Sequence, residues 1–283
     1  ASAPVEAASQ PASAPALVVA VTEPAVAASA SADTAAASSA VAAASAPDAE
    51  AFDWPPSTQL LYSMNGHYRG PIVGTAEVDW LRDGDHYQVR LEVRVPPLFT
   101  RRMLSDGQLG SDGLVPRRYD QETQVALQAT RRDTVRFDGE QIQLANGDLA
   151  SRPAGVQDVA SQFVQMTWIF LTHPERLQVG QVVAFPLALP RRIGRWTYEV
   201  TEHGPLVLPF GTVDAYHLQP QRDQLRPNEL SVETWIVPAL QYLPARILIR
   251  QDAESYLDLQ LQSRPRQAAP SGGPVPAFRA PAS

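Results

Sequence analysis

Gly155-Val156-Gln157-Asp158-Val159-Ala160-Ser161-Gln162-Phe163-Val164-Gln165-Met166-Thr167-Trp168-Ile169-Phe170-Leu171, closed by His173-Pro174, is the one stretch whose large apolar residues repeat at helical spacing. Val156, Val159, Phe163, Met166 and Phe170 recur every three or four residues, which lays them along one face at 100° per residue. That face must be buried, and at roughly 1.5–3 kcal/mol for each large side chain the helix reads as a plug against a sheet. Truncating Phe163 to alanine would then cost ~3–5 kcal/mol. Asp158 or Gln157 is placed to cap the first turn, and Pro174 biases the residue before it away from helix. Trp168 lies off the stripe and, with Ile169 and Leu171, makes the end of the helix apolar nearly all round. Such a helix is buried on two sides or lines an apolar cavity.

On both sides of this helix the sequence has the rhythm of strands. Leu60, Tyr62 and Met64 alternate, and residues 72–81 and 87–95 flank Arg82-Asp83-Gly84-Asp85, a hairpin turn by its Asp-Gly pair. Tyr87, Val89, Leu91, Val93 and Val95 face one way, while Gln88, Arg90, Glu92 and Arg94 mark a wet face. Further strands are expected at 98–109, 114–121, 124–130, 133–137 and 141–145, with a loop at 146–153. Beyond Pro174 the expected strands are 181–189, 196–202, 211–219, 230–237, 245–250 and 256–262, with a turn at His203-Gly204-Pro205. About a dozen strands and one inserted helix predict an all-β, mainly antiparallel fold. Its form is a strongly curved sheet or open half-barrel with the helix in its concave side, because flat sheets of that size are unusual.

Composition sets the limits of this domain. Residues 1–51 contain 23 alanines, five acids and no base, too little apolar bulk to repay the entropy of ordering, so they read as a disordered tether. Residues 52–266 form one β-rich domain opened by Phe52-Asp53-Trp54-Pro55-Pro56, and residues 267–283 read as a tail. The net charge of -7 falls largely on the tether, and the domain, with 22 Arg against 25 acids, is only -3. It lacks the basic field of a nucleic-acid binder. Every cation is Arg, which removes Schiff-base chemistry, and the absence of cysteine removes disulfides, thiolate metal sites and a thiol nucleophile. No apolar run approaches the ~20 residues of a membrane span. The start in low complexity without methionine fits removal of a signal peptide, or a membrane anchor ahead of the tether.

Several fragments in order carry a family resemblance: Gly113-Leu114-Val115-Pro116-Arg117-Arg118-Tyr119, Val156-Gln157-Asp158-Val159-Ala160-Ser161-Gln162, Pro209-Phe210-Gly211-Thr212-Val213-Asp214-Ala215-Tyr216-His217-Leu218, and Glu233-Thr234-Trp235-Ile236-Val237-Pro238 followed by Tyr242-Leu243-Pro244-Ala245-Arg246-Ile247. Over residues 57–263 the chain resembles the bacterial exported family catalogued as domain of unknown function 3108. Where members commonly have Leu-Ala-Pro after the Trp, this chain has Ile236-Val237-Pro238. The resemblance implies a periplasmic, cell-envelope domain rich in β-structure. Its pattern is also similar to the half-barrel of the lipoprotein carriers that shuttle lipids across the periplasm, an analogy of fold that lends function only a starting point.

Signals for chemistry are sparse. The five histidines, His67, His86, His173, His203 and His217, fall in separate segments without metal-ligand spacing. There is no nucleophile elbow, phosphate loop or dinucleotide fingerprint, and no metal or cofactor is expected. Glu233 beside Trp235, with Asp214 and His217, is the nearest approach to a hydrolase cluster. Ion pairs with Arg222 or Arg246 explain those acids more simply, as helix capping explains Asp158. The leading expectation is a noncatalytic domain that binds an apolar or lipid-like envelope molecule between sheet and helix. The residues expected there are Phe163, Trp168, Phe170, Trp196 and Trp235, with Asp158, His217 and Glu233 as polar candidates. A cavity above ~300 Å³ favours that reading, whereas a filled core favours a structural or protein-interaction module.

Overall fold

Side-chain alternation builds the first half of the fold as a meander. It comprises β1 (Thr58–His67), β2 (Pro71–Asp83), β3 (His86–Val95), β4 (Phe99–Gly110), β5 (Gly113–Val125), β6 (Arg131–Asp138), β7 (Gln141–Gln143) and β8 (Leu149–Ser151), each antiparallel to the one before. The computed structural model describes residues 52–68, 70–221, 231–252 and 254–268. The expected tether and most of the expected tail lie outside the described residues.

Two residues of extended chain, β9 (Gln157–Asp158), lead into the helix α1 (Ser161–Thr172). A second meander follows: β10 (Val182–Leu189), β11 (Arg192–Leu208), β12 (Gly211–Pro220), β13 (Ser231–Val237), β14 (Leu243–Arg250) and β15 (Tyr256–Leu261), with β16 (Arg266–Gln267) at the end. The order across the sheet is β8-β7-β6-β5-β4-β3-β2-β1-β15-β14-β13-β12-β11-β10-β9, with β16 also paired to β1. The first and last long strands are therefore neighbours near its middle, Tyr62 opposite Leu261 and Met64 opposite Leu259. All but one of these pairings are antiparallel, the parallel one being β9 with β10. The sheet curves until its ends approach. Among the described residues they are joined by one backbone bond, Ala145 N–H to Pro190 C=O at 2.7 Å, and by shared apolar packing of Ile142 and Leu144 with Ala188.

Several expectations change in detail. The helix begins at Ser161, five residues after Val156, where its apolar spacing starts, because Gln157 and Asp158 pair with Leu187 and Ala188 of β10. Val156 and Val159 therefore do not share the helical period, and the expected single stripe is divided among different apolar clusters. Met166 and Phe170 are fully buried, whereas Phe163 is only half-buried. Residues 114–121 and 124–130 form one strand and a turn rather than two strands, the turn placing Leu127 at positive φ. Gln88 is buried, not wet, since it donates to Asp106 Oδ2 at 2.9 Å and accepts from Arg90.

His203-Gly204-Pro205 is not a turn. β11 runs straight through it for 17 residues, bulged between Val200 and Glu202, and reverses instead at Pro209-Phe210. Pro205 is tolerated because β10 pairs with β11 only as far as Glu199, so that among the described residues one side of the strand has no ladder to interrupt. In the loop expected at 146–153 the short strand β8 forms on β7. The sheet also takes in Gln267, one residue past the expected domain boundary.

Candidate functional site

Helix α1 is held in the curve of the sheet by side-chain amides and hydroxyls that sequence periodicity assigns to its polar face. Gln165 accepts the Leu114 N–H at 2.7 Å and donates to Asp112 C=O at 3.1 Å, so it closes the β4–β5 turn from inside. Gln157 adds a bond to Leu114 C=O at 3.0 Å, and Thr167 donates to Tyr242 C=O at 3.0 Å. Gln162, Gln165 and Thr167 are all buried. Apolar spacing misses them because a helix surrounded by sheet has no solvent face to assign. The remaining signal is composition, a run of short amides where an exposed helix carries charge.

Asp158 organises the entry to α1. One carboxylate oxygen accepts the N–H groups of Ala160 and Ser161, each at 2.9 Å, the other accepts the Ser105 hydroxyl at 2.6 Å, and the Asp158 N–H donates to Ser161 Oγ. This is a reciprocal cap at the positive end of a helix, locked to β4. The group is fully buried, and burial pushes its carboxyl up to about 6, outweighing the hydrogen bonds from Ser105, Ser161 and Ala160 that favour the anion.

A carboxyl that keeps its proton longer when folded contributes stability at low pH, and loses it as pH rises from the unfolded pKa near 4 to the folded one. In urea melts, wild type is therefore expected to gain about 2–3 kcal/mol over Asp158→Asn on going from about pH 7 to about pH 4. A difference between the two proteins that does not change with pH would refute this assignment.

Between α1 and the sheet opens an apolar crevice. Leu60 and Tyr62 of β1 and Leu243 and Ile247 of β14 form its floor, Phe163 and Trp168 of α1 one wall, and Trp54 its rim. Its hydroxyls are already spent on the protein. Tyr62 Oη donates to Pro244 C=O at 2.7 Å, and Thr167 is bonded to Tyr242 as described. Burial alone pushes the Tyr62 phenol well above its ordinary range. The space between atoms, mouth included, is about 740 Å³, but room for a water-sized sphere to move is only about 50 Å³. That is enough for water and below the ~300 Å³ at which ligand pockets begin.

The structure brings only Phe163 and Trp168 of the expected ligand residues to this crevice. Phe170 turns to the opposite side of α1, where it packs in the cluster of Met166, Phe185 and Leu218, and Trp196 joins the edge of that cluster. Trp235 lies on the other face of the sheet. His217 stacks on its ring at 4.0 Å between centroids and 7° between planes, and the Arg246 guanidinium sits 4.5 Å from the ring centroid. Both faces of the indole are thus covered.

His217 Nε2 is 2.9 Å from Glu233 Oε2, a bond that, ahead of other causes, lowers the Glu233 carboxyl below its usual range. Arg246 forks onto Asp258 with two bonds of 2.8 Å rather than onto Glu233 or Asp214. Arg222 lies outside the described residues. Asp214 pairs with His203 at 3.4 Å and is largely exposed. These contacts form a cross-strand ladder through β12, β13, β14 and β15, not a group of acids converging on a cleft. Among the described residues no three His, Asp or Glu side chains are grouped to hold a metal ion, and no helix is long and apolar enough to cross a membrane.

Trp54 was missed as a site residue, although its aromatic cluster was visible at the head of the domain. It stacks between Trp80, at 5.8 Å, and Trp168, at 6.2 Å, with Phe52 edge-on to both Trp54 and Trp168. Only the fold brings Trp54, Trp80 and Trp168 together.

Comparison with known proteins adds a family but no activity. No protein with a curated description matches the chain. Among solved structures, it is similar to a β-barrel-like protein of the domain of unknown function DUF1849 from Brucella abortus, with a TM-score of 0.49 and 8% identity over 76% of this chain and 99% of that one. The model of the family described as a protein of unknown function, DUF3108, matches residues 62–257, which run from the floor of the crevice in β1 through α1 to β15. With most of its length matched, the chain belongs to the DUF3108 family of proteins of unknown function.

Proposed function

We propose that this is a noncatalytic domain of the cell envelope, periplasmic and tethered through its N-terminal segment, that holds an apolar, lipid-like ligand in the crevice between α1 and the sheet. The observation that carries this reading is the chemistry of the crevice. Aliphatic and aromatic side chains dominate its lining, its hydroxyls are satisfied by backbone carbonyls, and the Gln241 amide at its edge accepts from Gln267, so it offers contact area with few polar anchors. Such a site selects for an acyl chain or similar body over a polar metabolite. At about 50 Å³ of free room it must widen to take one.

The test is native mass spectrometry of the full chain purified gently from an envelope-competent host, followed by solvent extraction. A recurrent adduct of lipid-like mass is expected in wild type. Trp168→Ala, checked for wild-type circular dichroism, should reduce adduct occupancy by about tenfold, since removing an indole forfeits on the order of 1–3 kcal/mol of apolar contact. Wild type at the bare chain mass throughout would count against the reading.

The small free volume supports a second reading, a solid core with protein partners added at a sheet edge. β12 gives such an edge, since among the described residues only Tyr216, His217 and Leu218 pair with β13. A bare chain mass combined with recovery of a stoichiometric envelope partner would favour it.

A further inference from the structure

Resting on the apolar-ligand reading, we infer that residues 52–55 are a displaceable strap, and that the ligand taking the place of Trp54 is a single-chain amphiphile with an anionic head held by Arg82.

The indole of Trp54 is the body already occupying the crevice mouth. It is only 8% exposed and lies between two other indoles, 30° from the plane of Trp80 and 19° from that of Trp168. Yet residues 52–57 belong to no strand. Pro56 C=O accepts from Thr58 Oγ1 at 2.7 Å, and Ser57 accepts from Ala268 N–H at 2.8 Å and from Arg82 N–H at 3.1 Å, so the chain is anchored there; residues 52–55 ahead of that anchor are held to β2 by Arg82 Nη1 to Trp54 C=O at 2.6 Å and Trp80 Nε1 to Pro55 C=O at 3.2 Å. Pro55 and Pro56 have no N–H with which to join a ladder. The strap is thus a large apolar side chain on a weakly fastened backbone, the arrangement that opens locally at low cost.

Withdrawal of the strap would vacate the slot between Trp80 and Trp168 and extend the narrow crevice by the volume of an indole. A flexible acyl chain fits a slot walled by flat rings and floored by Leu60 and Leu243. Withdrawal would also strip Arg82 of two partners at once, the Trp54 carbonyl and the Asp53 carboxylate, which stands 3.7 Å from Nη1 and is itself almost fully exposed. An anionic head at the rim would replace one anion by another on the same guanidinium, with the better geometry of a direct charge-assisted bond. Carboxylate and phosphate heads share this chemistry.

Equilibrium dialysis of the full-length protein against radiolabelled oleate and its uncharged counterpart oleyl alcohol, both below their aggregation thresholds, tests each part. A strap that closes the site lowers apparent affinity by the fraction of time it is open, so Trp54→Ala is expected to bind both probes about tenfold more tightly than wild type, with Trp54→Phe close to wild type. Arg82→Gln is expected to lower the ratio of oleate to oleyl alcohol affinity by about tenfold, while oleyl alcohol binding is kept or strengthened because the strap is also loosened. On wild type, which needs no variant to fold, oleate should accelerate hydrogen exchange at the Trp80 indole N–H, which donates to Pro55 C=O when the strap is closed.

Wild type that binds oleate with no change in that exchange, or Trp54→Ala that folds and binds no more tightly, overturns the strap while leaving the apolar site standing. Equal losses of both probes in Arg82→Gln overturn the anionic head alone. Failure of wild type and Trp54→Ala to bind either probe overturns the inference together with the reading it rests on.

Discussion

Phe170→Ala is expected to lower the free energy of unfolding by about 3–5 kcal/mol, read as a fall in the midpoint of a urea melt at unchanged slope. Phe170 has no exposed surface, and its ring packs among Met166, Phe185, Leu187 and Leu218, with the Tyr242 ring 6.5 Å away. The surrounding β-strands are fixed by their ladders and cannot collapse into the space an alanine leaves, so a cavity term adds to the lost transfer energy. The same change at Phe163 removes a side chain that borders the open crevice and should cost clearly less. If the two variants melt together, α1 is not seated as described.

Gly113→Ala should be nearly as damaging, about 2–4 kcal/mol, through a different cause. Gly113 closes the β4–β5 hairpin at φ +104°, a conformation that residues with a side chain rarely adopt. A Cβ there would also collide with the amide of Gln165, the group that binds Asp112 C=O and Leu114 N–H. The variant must distort the turn or release the helix from it. A double variant with Gln165→Ala distinguishes the contributions: the clash disappears and the backbone strain stays, so the two costs should add to less than their sum. Full additivity would mean that the contact with Gln165 does not hold α1.

Much of the architecture was legible because strand alternation survives single irregularities. The Asp-Gly hairpin at Gly84, the reversal at Asp138-Gly139 and the helix stop before Pro174 all stand where their local chemistry puts them. Local rules failed where a distant segment decided the outcome. Val156 and Val159 have helical spacing, but pairing with β10 claims Gln157 and Asp158 between them as strand. Pro205 reads as a turn, but the β10 pairing ends at Glu199 and the strand continues past it. The candidate site was legible only in its helix wall, Phe163 and Trp168. Trp235 has the same composition signal as Trp168, yet alternation from Thr234 sends it to the outer face, and a single register shift at Trp235 makes that assignment unreadable without the sheet. His217 and Glu233 suggested chemistry because a histidine beside an acid is ambiguous until the stacking that immobilises both is visible.

The adjacency of β1 and β15 has a consequence for the order of events when the protein is made. Each half can form local hairpins as it emerges, but Tyr62 has to wait for Leu261 before one of its two edges is paired, and nearly the whole domain lies between them. Contacts so distant in sequence make folding slow and leave the first strand's edge open during synthesis. A ribosome-bound chain ending before Tyr256 should therefore remain sensitive to protease in β1 even with α1 complete, and the protection of that first strand would report the arrival of the last.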